Sequence, residues 1–338
     1  MSDSLLQPAV DAVGRGRRFL DATALRRRPE PGRETPSRVI LETPAFRLRD
    51  FSRPGAAGRA AMRRDGRRHP LLIVPPEVNS SHVVDFGPGQ SLVRAVLDAG
   101  FPRIASLDWR SAAGVAARRD VDDSLGSILD AVDALGGSAH LVGLCQGGWE
   151  SAMVAALHPE QVRSLTLVAA PIDFHAGGGA LRAVVEAMPM ATYGALVAAG
   201  GGVMRGEMIS AGFDNLLPLD RYLGKSLRIW RQLDDPVWME RFHRLEDWYR
   251  TPKDLPGPMY LRAVRELFKH NRLIEGRFIA LGRPVDLANI TAPLALVTGT
   301  RDHITPPAQT RAITRLANPS RLLDVEIDAG HIGTFMGR

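Results

Sequence analysis

The chain has a single cysteine, Cys145, set in Gly143-Leu144-Cys145-Gln146-Gly147 between the apolar run "HLVGL" and the helical pattern "WESAMVAALHP". A strand that turns sharply into a helix at a nucleophile needs glycines two residues to either side, because side chains there would strike the neighbouring strand and helix. The N-terminus of the helix beneath the thiol favours its thiolate. The helix's first free N–H, on Gln146, can donate to a developing oxyanion. A second donor is expected in the loop after "LLIVPP", near Val78. The chemistry is covalent acyl transfer. The competing reading, a buried structural cysteine packed between glycines, leaves the strand–turn–helix context unexplained.

A thiol nucleophile needs a base, and the base needs an orienting group. In enzymes built on this elbow they follow separate strands in the order nucleophile, acid, histidine. "LALVTGTRDHITPP" places Asp302 after one late strand, and "LLDVEIDAGHIG" places His331 after the next. His303, beside Asp302, is a candidate supporting residue. Asp173 and Asp328 are rival acids: Asp173 follows a strand at the edge of a helical segment, and Asp328 is better suited to shaping the turn before His331. His69, His140, His158 and His243 fall at strand starts or in polar contexts and read as structural or solvated. The spacing suggests neither a metal site, a phosphate loop nor a dinucleotide fingerprint.

The elements that must position these residues repeat along the chain. Short apolar runs at 71–76, 104–109, 140–144, 165–170, 294–299 and 322–327 alternate with helical patterns such as "DVDDSLGSILDAVDALGG". Near-continuous apolar strands alternating with helices predict an α/β fold, a mostly parallel sheet with helices on both faces. The core is expected over 38–171 and 285–338, with "RVILETPAFRLRDF" adding one or two strands and 55–68 a linker. Between them, 172–284 reads as an inserted helical cap, mobile and covering Cys145, with Trp230, Trp238, Trp248 and Tyr249. Residues 1–37 read as a basic, flexible leader with one short amphipathic stretch.

Composition bounds the function. Residues 1–70 hold 16 Arg against 8 Asp and Glu, so the net charge of +6 originates there. Only 3 of the 43 basic residues are Lys, which fits an Arg-rich proteome better than a binding patch, and no nucleic-acid partner is expected. One cysteine excludes an internal disulfide framework and favours a reducing cytoplasm. No apolar run approaches a membrane span, and no signal-peptide core opens the chain.

The sulfur is informative. Thiol–thioester exchange is nearly isoenergetic, so a cysteine suits a site that receives acyl groups from coenzyme A and passes them to an alcohol while water is kept out. Here the blocks "PLLIVPPEVNSSHVVDFGPGQSLVRAVLDAG", "LDW", "GLCQGGW", "HNRLIEGRFIALGRPVDLANITAPLALVTGTRDHITPP" and "GHIGTFM" together resemble polyhydroxyalkanoate synthases of the α/β-hydrolase superfamily, above all the short catalytic subunits that pair with a second subunit. The resemblance runs from about residue 40 to the C-terminus. It implies Cys145 as nucleophile, His331 as base and Asp302 as acid, (R)-3-hydroxyacyl-CoA as substrate, and a cytoplasmic polyester granule as product. It implies no cofactor beyond the CoA thioester, with an accessory synthase subunit or homo-oligomer as partner. A cysteine-dependent ester or thioester hydrolase or depolymerase, and a non-catalytic granule-associated paralogue, are the alternatives.

Three features depart from the family. Glu77 stands where "PPWIN"-type sequences carry Trp, close to the oxyanion loop, and is expected either to turn to solvent or to slow the reaction. The Gly- and Ala-rich start of the cap resembles the family little. The sequence stops seven residues after His331, where a last helix covering the sheet is expected.

Overall fold

A computed structural model describes residues 3–23, 33–52, 69–216 and 224–336, and the linker expected at 55–68 lies outside them. Two compact units are present: Gly32–Gly206 with Lys253–Arg338, and Met1–Pro31 with Glu207–Pro252.

The larger unit is built on an eight-stranded sheet of β1 (Arg38–Glu42), β2 (Phe46–Asp50), β3 (Leu71–Val74), β4 (Ile104–Trp109), β5 (Ala139–Leu144), β6 (Val162–Val168), β7 (Leu294–Gly299) and β8 (Leu322–Ile327). The spatial order is β1-β2-β4-β3-β5-β6-β7-β8. β2 runs antiparallel to both neighbours, and all pairs from β4 to β8 are parallel. Parallel neighbours need long crossovers, and these carry the helices. β3 and β4 are buried along their whole length, the reason they read as unbroken apolar runs. This is the α/β-hydrolase fold.

Two helices matter most to the site. Val121–Ala134 starts at a reciprocal cap between Asp120 and Asp123, where the Asp120 N–H donates to Asp123 Oδ2 at 2.7 Å. Gln146–Leu157 follows β5 directly and is buried from Gly147 to Leu157, so it is apolar on nearly every side. Glu150 and Ser151 are the buried polar exceptions. Beyond β6, helices Ala180–Ala187, Met190–Ala199 and Gly257–Arg262, with a π-helical turn at Ala263–Lys269, share a small core of Val185, Tyr193 and Val264.

The smaller unit is helical. Residues Asp3–Thr23, expected within a flexible leader, form a helix. Arg, Ala and Leu are good helix formers, and Phe19 meets the Trp230 ring edge-on at 5.6 Å while Arg15 lies over it at 5.0 Å. Arg15 and Arg18 also pair with Asp234 at 3.4 and 3.0 Å. Helix Pro236–Tyr249 is capped by Asp235, which accepts from Val237 and Trp238 N–H. Within 172–284, residues 172–206 and 253–284 belong to the unit that holds the sheet, and the described residues of 207–252 to the unit that holds the N-terminal helix.

Candidate active site

β5 ends at Leu144, and the next residue, Cys145, adopts φ 50° and ψ −113°, a left-handed conformation that costs a non-glycine residue about 1–3 kcal/mol. Its N–H bonds Val168 O at 2.9 Å and its carbonyl accepts the Gly148 N–H at 2.9 Å, which closes the turn. The glycines are required by contact. A Cβ on Gly143 would lie 2.5 Å from Gly147 O, one on Gly147 2.0 Å from Val74 O, and one on Gly148 2.2 Å from Ala170 Cβ. Three crowded glycines therefore hold a strained, partly buried thiol at the start of a helix.

Asp302 and His331 are brought together by β7 and β8. Gly299 lies opposite Ile327 in that pair, and the loops beyond are joined by Thr300 N–H to Ile327 O at 2.9 Å and Arg301 N–H to Ala329 O at 3.0 Å. His331 Nδ1–H donates to Asp302 Oδ2 at 2.7 Å, and the Asp302 side chain is 0% exposed. Asp302 Oδ1 accepts from the N–H groups of Ile304 and Thr305 at 2.9 and 2.8 Å, which fixes the carboxylate. Burial lowers the imidazole's pKa, but the charge of Cys145 and the hydrogen bond to and charge of Asp302 outweigh it and push His331 up to about 10. The structure thus sets the Cys145 thiol at a strained turn after β5 and a hydrogen-bonded His331–Asp302 pair in the loops after β7 and β8.

The other candidates fall elsewhere. His303 is exposed, because the turn at Asp302 is held by the following peptides and carries that side chain outward. Asp173 closes its own turn onto His175 and Ala176 N–H and binds Asn271 at 2.8 Å and Arg315 at 2.9 Å. Asp328, 81% exposed, pairs with Arg301 at 2.7 Å. His140 bonds Ser164 at 2.8 Å and His69 bonds Ser138 at 2.9 Å, so both rings are committed to serines rather than to Cys145. A cleft of about 1040 Å³ lies against β5–β8, lined by Val142, Thr166, Val297, Ile327 and Phe335, but by none of Cys145, Asp302 and His331. It is not where this chemistry would occur.

On the other side of the turn, the structure excludes one of the two outcomes expected for Glu77, a side chain turned to solvent. The residue is 2% exposed, and its carboxylate accepts from Arg119 at 2.6 Å and from Ser124 Oγ at 2.7 Å. It neither faces solvent nor presents an unpaired charge, because the Arg119 guanidinium neutralises it. Arg119 in turn lies over the Trp109 ring at 5.4 Å, and Trp109 Nε1 donates to Pro75 O at 2.9 Å. The Glu77 N–H donates to Gln146 Oε1 at 3.2 Å, and Gln146 Nε2 donates to Glu150 Oε1 at 3.0 Å. The Val78 carbonyl accepts the Lys253 N–H at 2.8 Å. Sequence reading missed Arg119, Ser124 and Glu150. The one available signal was a lone Glu in the apolar run "WESAMVAAL".

With this geometry in hand, comparison with known proteins places the chain. The model of the family described as "Protein of unknown function (DUF3141)" matches residues 55–317. The chain belongs to this family. It is also a relative of proteins named poly(3-hydroxyalkanoate) polymerase subunit PhaC, which bears out the resemblance read from its motifs. The Haloferax mediterranei protein is 29% identical over 273 residues, 78% of this chain and 54% of the relative. The Haloarcula marismortui protein is 28% identical over 89% of this chain and 64% of its own length. The Allochromatium vinosum protein is 28% identical over 89% of this chain and 84% of its own length. The chain therefore spans between about half and two thirds of the two haloarchaeal relatives. Among solved structures, the Paleococcus ferrophilus monoacylglycerol lipase superposes with a TM-score of 0.52 at 17% identity, covering 85% of this chain and 90% of the lipase. A hydrolase from Pseudomonas aeruginosa PA01 gives 0.50 at 19% identity, with 88% and 92% covered. These two speak to the fold alone. Among the described residues, no helix is long and apolar enough to cross a membrane.

Proposed function

We propose that the protein is an acyltransferase that polymerises (R)-3-hydroxyacyl-CoA into polyhydroxyalkanoate through thioesters on Cys145. The observation that carries this reading is a cysteine, where a hydrolase of this fold commonly has serine, at a strained elbow in a chain that also holds a buried, hydrogen-bonded His331–Asp302 pair. The polymerase relatives support it.

In the first step the Cys145 sulfur attacks the thioester carbonyl, and His331 holds the thiol proton. The oxyanion receives hydrogen bonds from the Gln146 N–H and from a backbone N–H near Val78. The C–S bond to CoA breaks, and His331 returns the proton to the departing thiolate. In the second step the 3-hydroxyl of the growing chain or of another acyl unit attacks the acyl-Cys145 carbonyl. His331 takes the hydroxyl proton, the ester C–O bond forms, and Cys145 leaves as the thiolate. Asp302 keeps Nδ1 of His331 protonated, so Nε2 is the nitrogen that exchanges protons. The CoA thioester supplies both acyl group and leaving group, and no further cofactor enters. The protein acts in the cytoplasm at the surface of the polyester granule, with an accessory subunit or a second copy as partner.

Purified protein incubated with 3-hydroxybutyryl-CoA tests the reading. CoA release with polymer formation is expected. CoA release with free 3-hydroxybutyrate would make the protein a hydrolase, and no release would make it a non-catalytic relative.

A further inference from the structure

Glu150 takes no part in the reaction as drawn, yet it lies one turn beyond Cys145 with 0% exposure, the one ionisable side chain in a buried, mostly apolar helix. Isolation of a carboxyl group there costs free energy that Leu or Ala would avoid. Burial first, and the charge of Glu77 second, push its pKa well above the ordinary glutamate range, which favours the protonated acid. Its Oε1 accepts from Gln146 Nε2 at 3.0 Å, while Oε2 has no partner among the described residues.

Gln146 is the link to the site. An amide side chain has one accepting and one donating end, and its neighbours decide which way it faces. An acceptor at position 150 draws the Gln146 NH2 group inward, which leaves Oε1 toward the Glu77 N–H at 3.2 Å. The same Glu77 is anchored through its carboxylate by Arg119 at 2.6 Å and Ser124 at 2.7 Å. The Glu77 residue is thus held at its peptide and at its side chain, and the next N–H in the loop belongs to Val78.

We propose that Glu150 is a positioning residue: by orienting Gln146 it locks the Glu77 peptide, and so aims the donor loop at the carbonyl that Cys145 attacks. This rests on the reading of Cys145 as a nucleophile served by a donor near Val78. Glu150 acts through Gln146, the residue its carboxyl group hydrogen-bonds. What the role requires is an acceptor at its Oε1, not a charge.

Two reactions of Cys145 separate this role from general support of the fold. Acylation by p-nitrophenyl butyrate passes through an oxyanion, whereas alkylation by iodoacetamide does not. In Glu150→Met, the saturating acylation rate should fall about 10- to 100-fold with little change in the half-saturating ester concentration, and alkylation should stay within about threefold of wild type. Glu150→Gln, which keeps the acceptor, should restore acylation. Hydrogen exchange at the Glu77 amide reads the lock without any substrate, and should be faster in Glu150→Met but not in Glu150→Gln. Wild-type acylation in Glu150→Met, or a parallel fall in acylation and alkylation, would overturn the proposal. So would unchanged Glu77 exchange. A wild-type protein that alkylates but never acylates would refute the nucleophile reading itself, a separate failure that the exchange measurement leaves visible.

Discussion

Replacing Asp302 with Asn removes the anion that accepts the His331 Nδ1–H at 2.7 Å and keeps the side chain's size. An opposite charge at this range moves a pKa by about 1–3 units, so His331 should fall from about 10 toward about 7–9. At about 1.4 kcal/mol per unit, Asp302 contributes about 1.4–4 kcal/mol to holding the imidazolium. The sign follows from His331 being raised in the folded protein above its ordinary 6.5. Its stabilisation is fully present below pH 6.5 and is lost as pH rises through about 10. In Asp302→Asn the loss should come earlier, between about pH 7 and 9. An NMR titration of the His331 ring gives the midpoint, and urea unfolding at several pH values gives the stability. Two proteins with the same His331 midpoint, or with superimposable stability profiles between neutral and alkaline pH, would refute the reasoning.

Other perturbations read other parts of the site. Arg119→Met leaves the Glu77 carboxylate buried with only Ser124, and should destabilise by about 3–5 kcal/mol in urea unfolding. Arg119→Met with Glu77→Gln should recover most of that loss. Gly147→Ala drives a Cβ to 2.0 Å from Val74 O, and calorimetry should show a loss of about 1–3 kcal/mol or more together with loss of Cys145 acylation. Cys145→Gly relieves φ 50° and should raise the melting temperature, a gain of about 1 kcal/mol after glycine's greater unfolded-state entropy is counted, while abolishing acylation.

Much of the catalytic frame is legible in the sequence because it is local. The apolar β5 run, the flanking glycines and the helix pattern all lie within a few residues of Cys145, and each records a steric demand. Asp302 and His331 are legible because parallel neighbours β7 and β8 end level, so residues just past each strand must meet. His303 shows the limit of adjacency. Sharing a loop with Asp302 does not share its direction, and backbone hydrogen bonds from Ile304 and Thr305 decide which side chain turns inward. The burial of Glu77 is not legible for a different reason. Its partner Arg119 lies 42 residues away on another crossover, and nothing in either segment announces the pairing. The N-terminal helix is legible only as a short amphipathic stretch, because an Arg-rich segment looks solvated and nothing local announces that Phe19 and Arg15 meet Trp230.

The most direct test of the central claim is the covalent intermediate. Protein quenched in acid after brief exposure to 3-hydroxybutyryl-CoA should carry a hydroxylamine-labile acyl group on the peptide containing Cys145, formed in step with CoA release and absent in Cys145→Ala. CoA release without that adduct, or an adduct that survives in Cys145→Ala, would contradict the account.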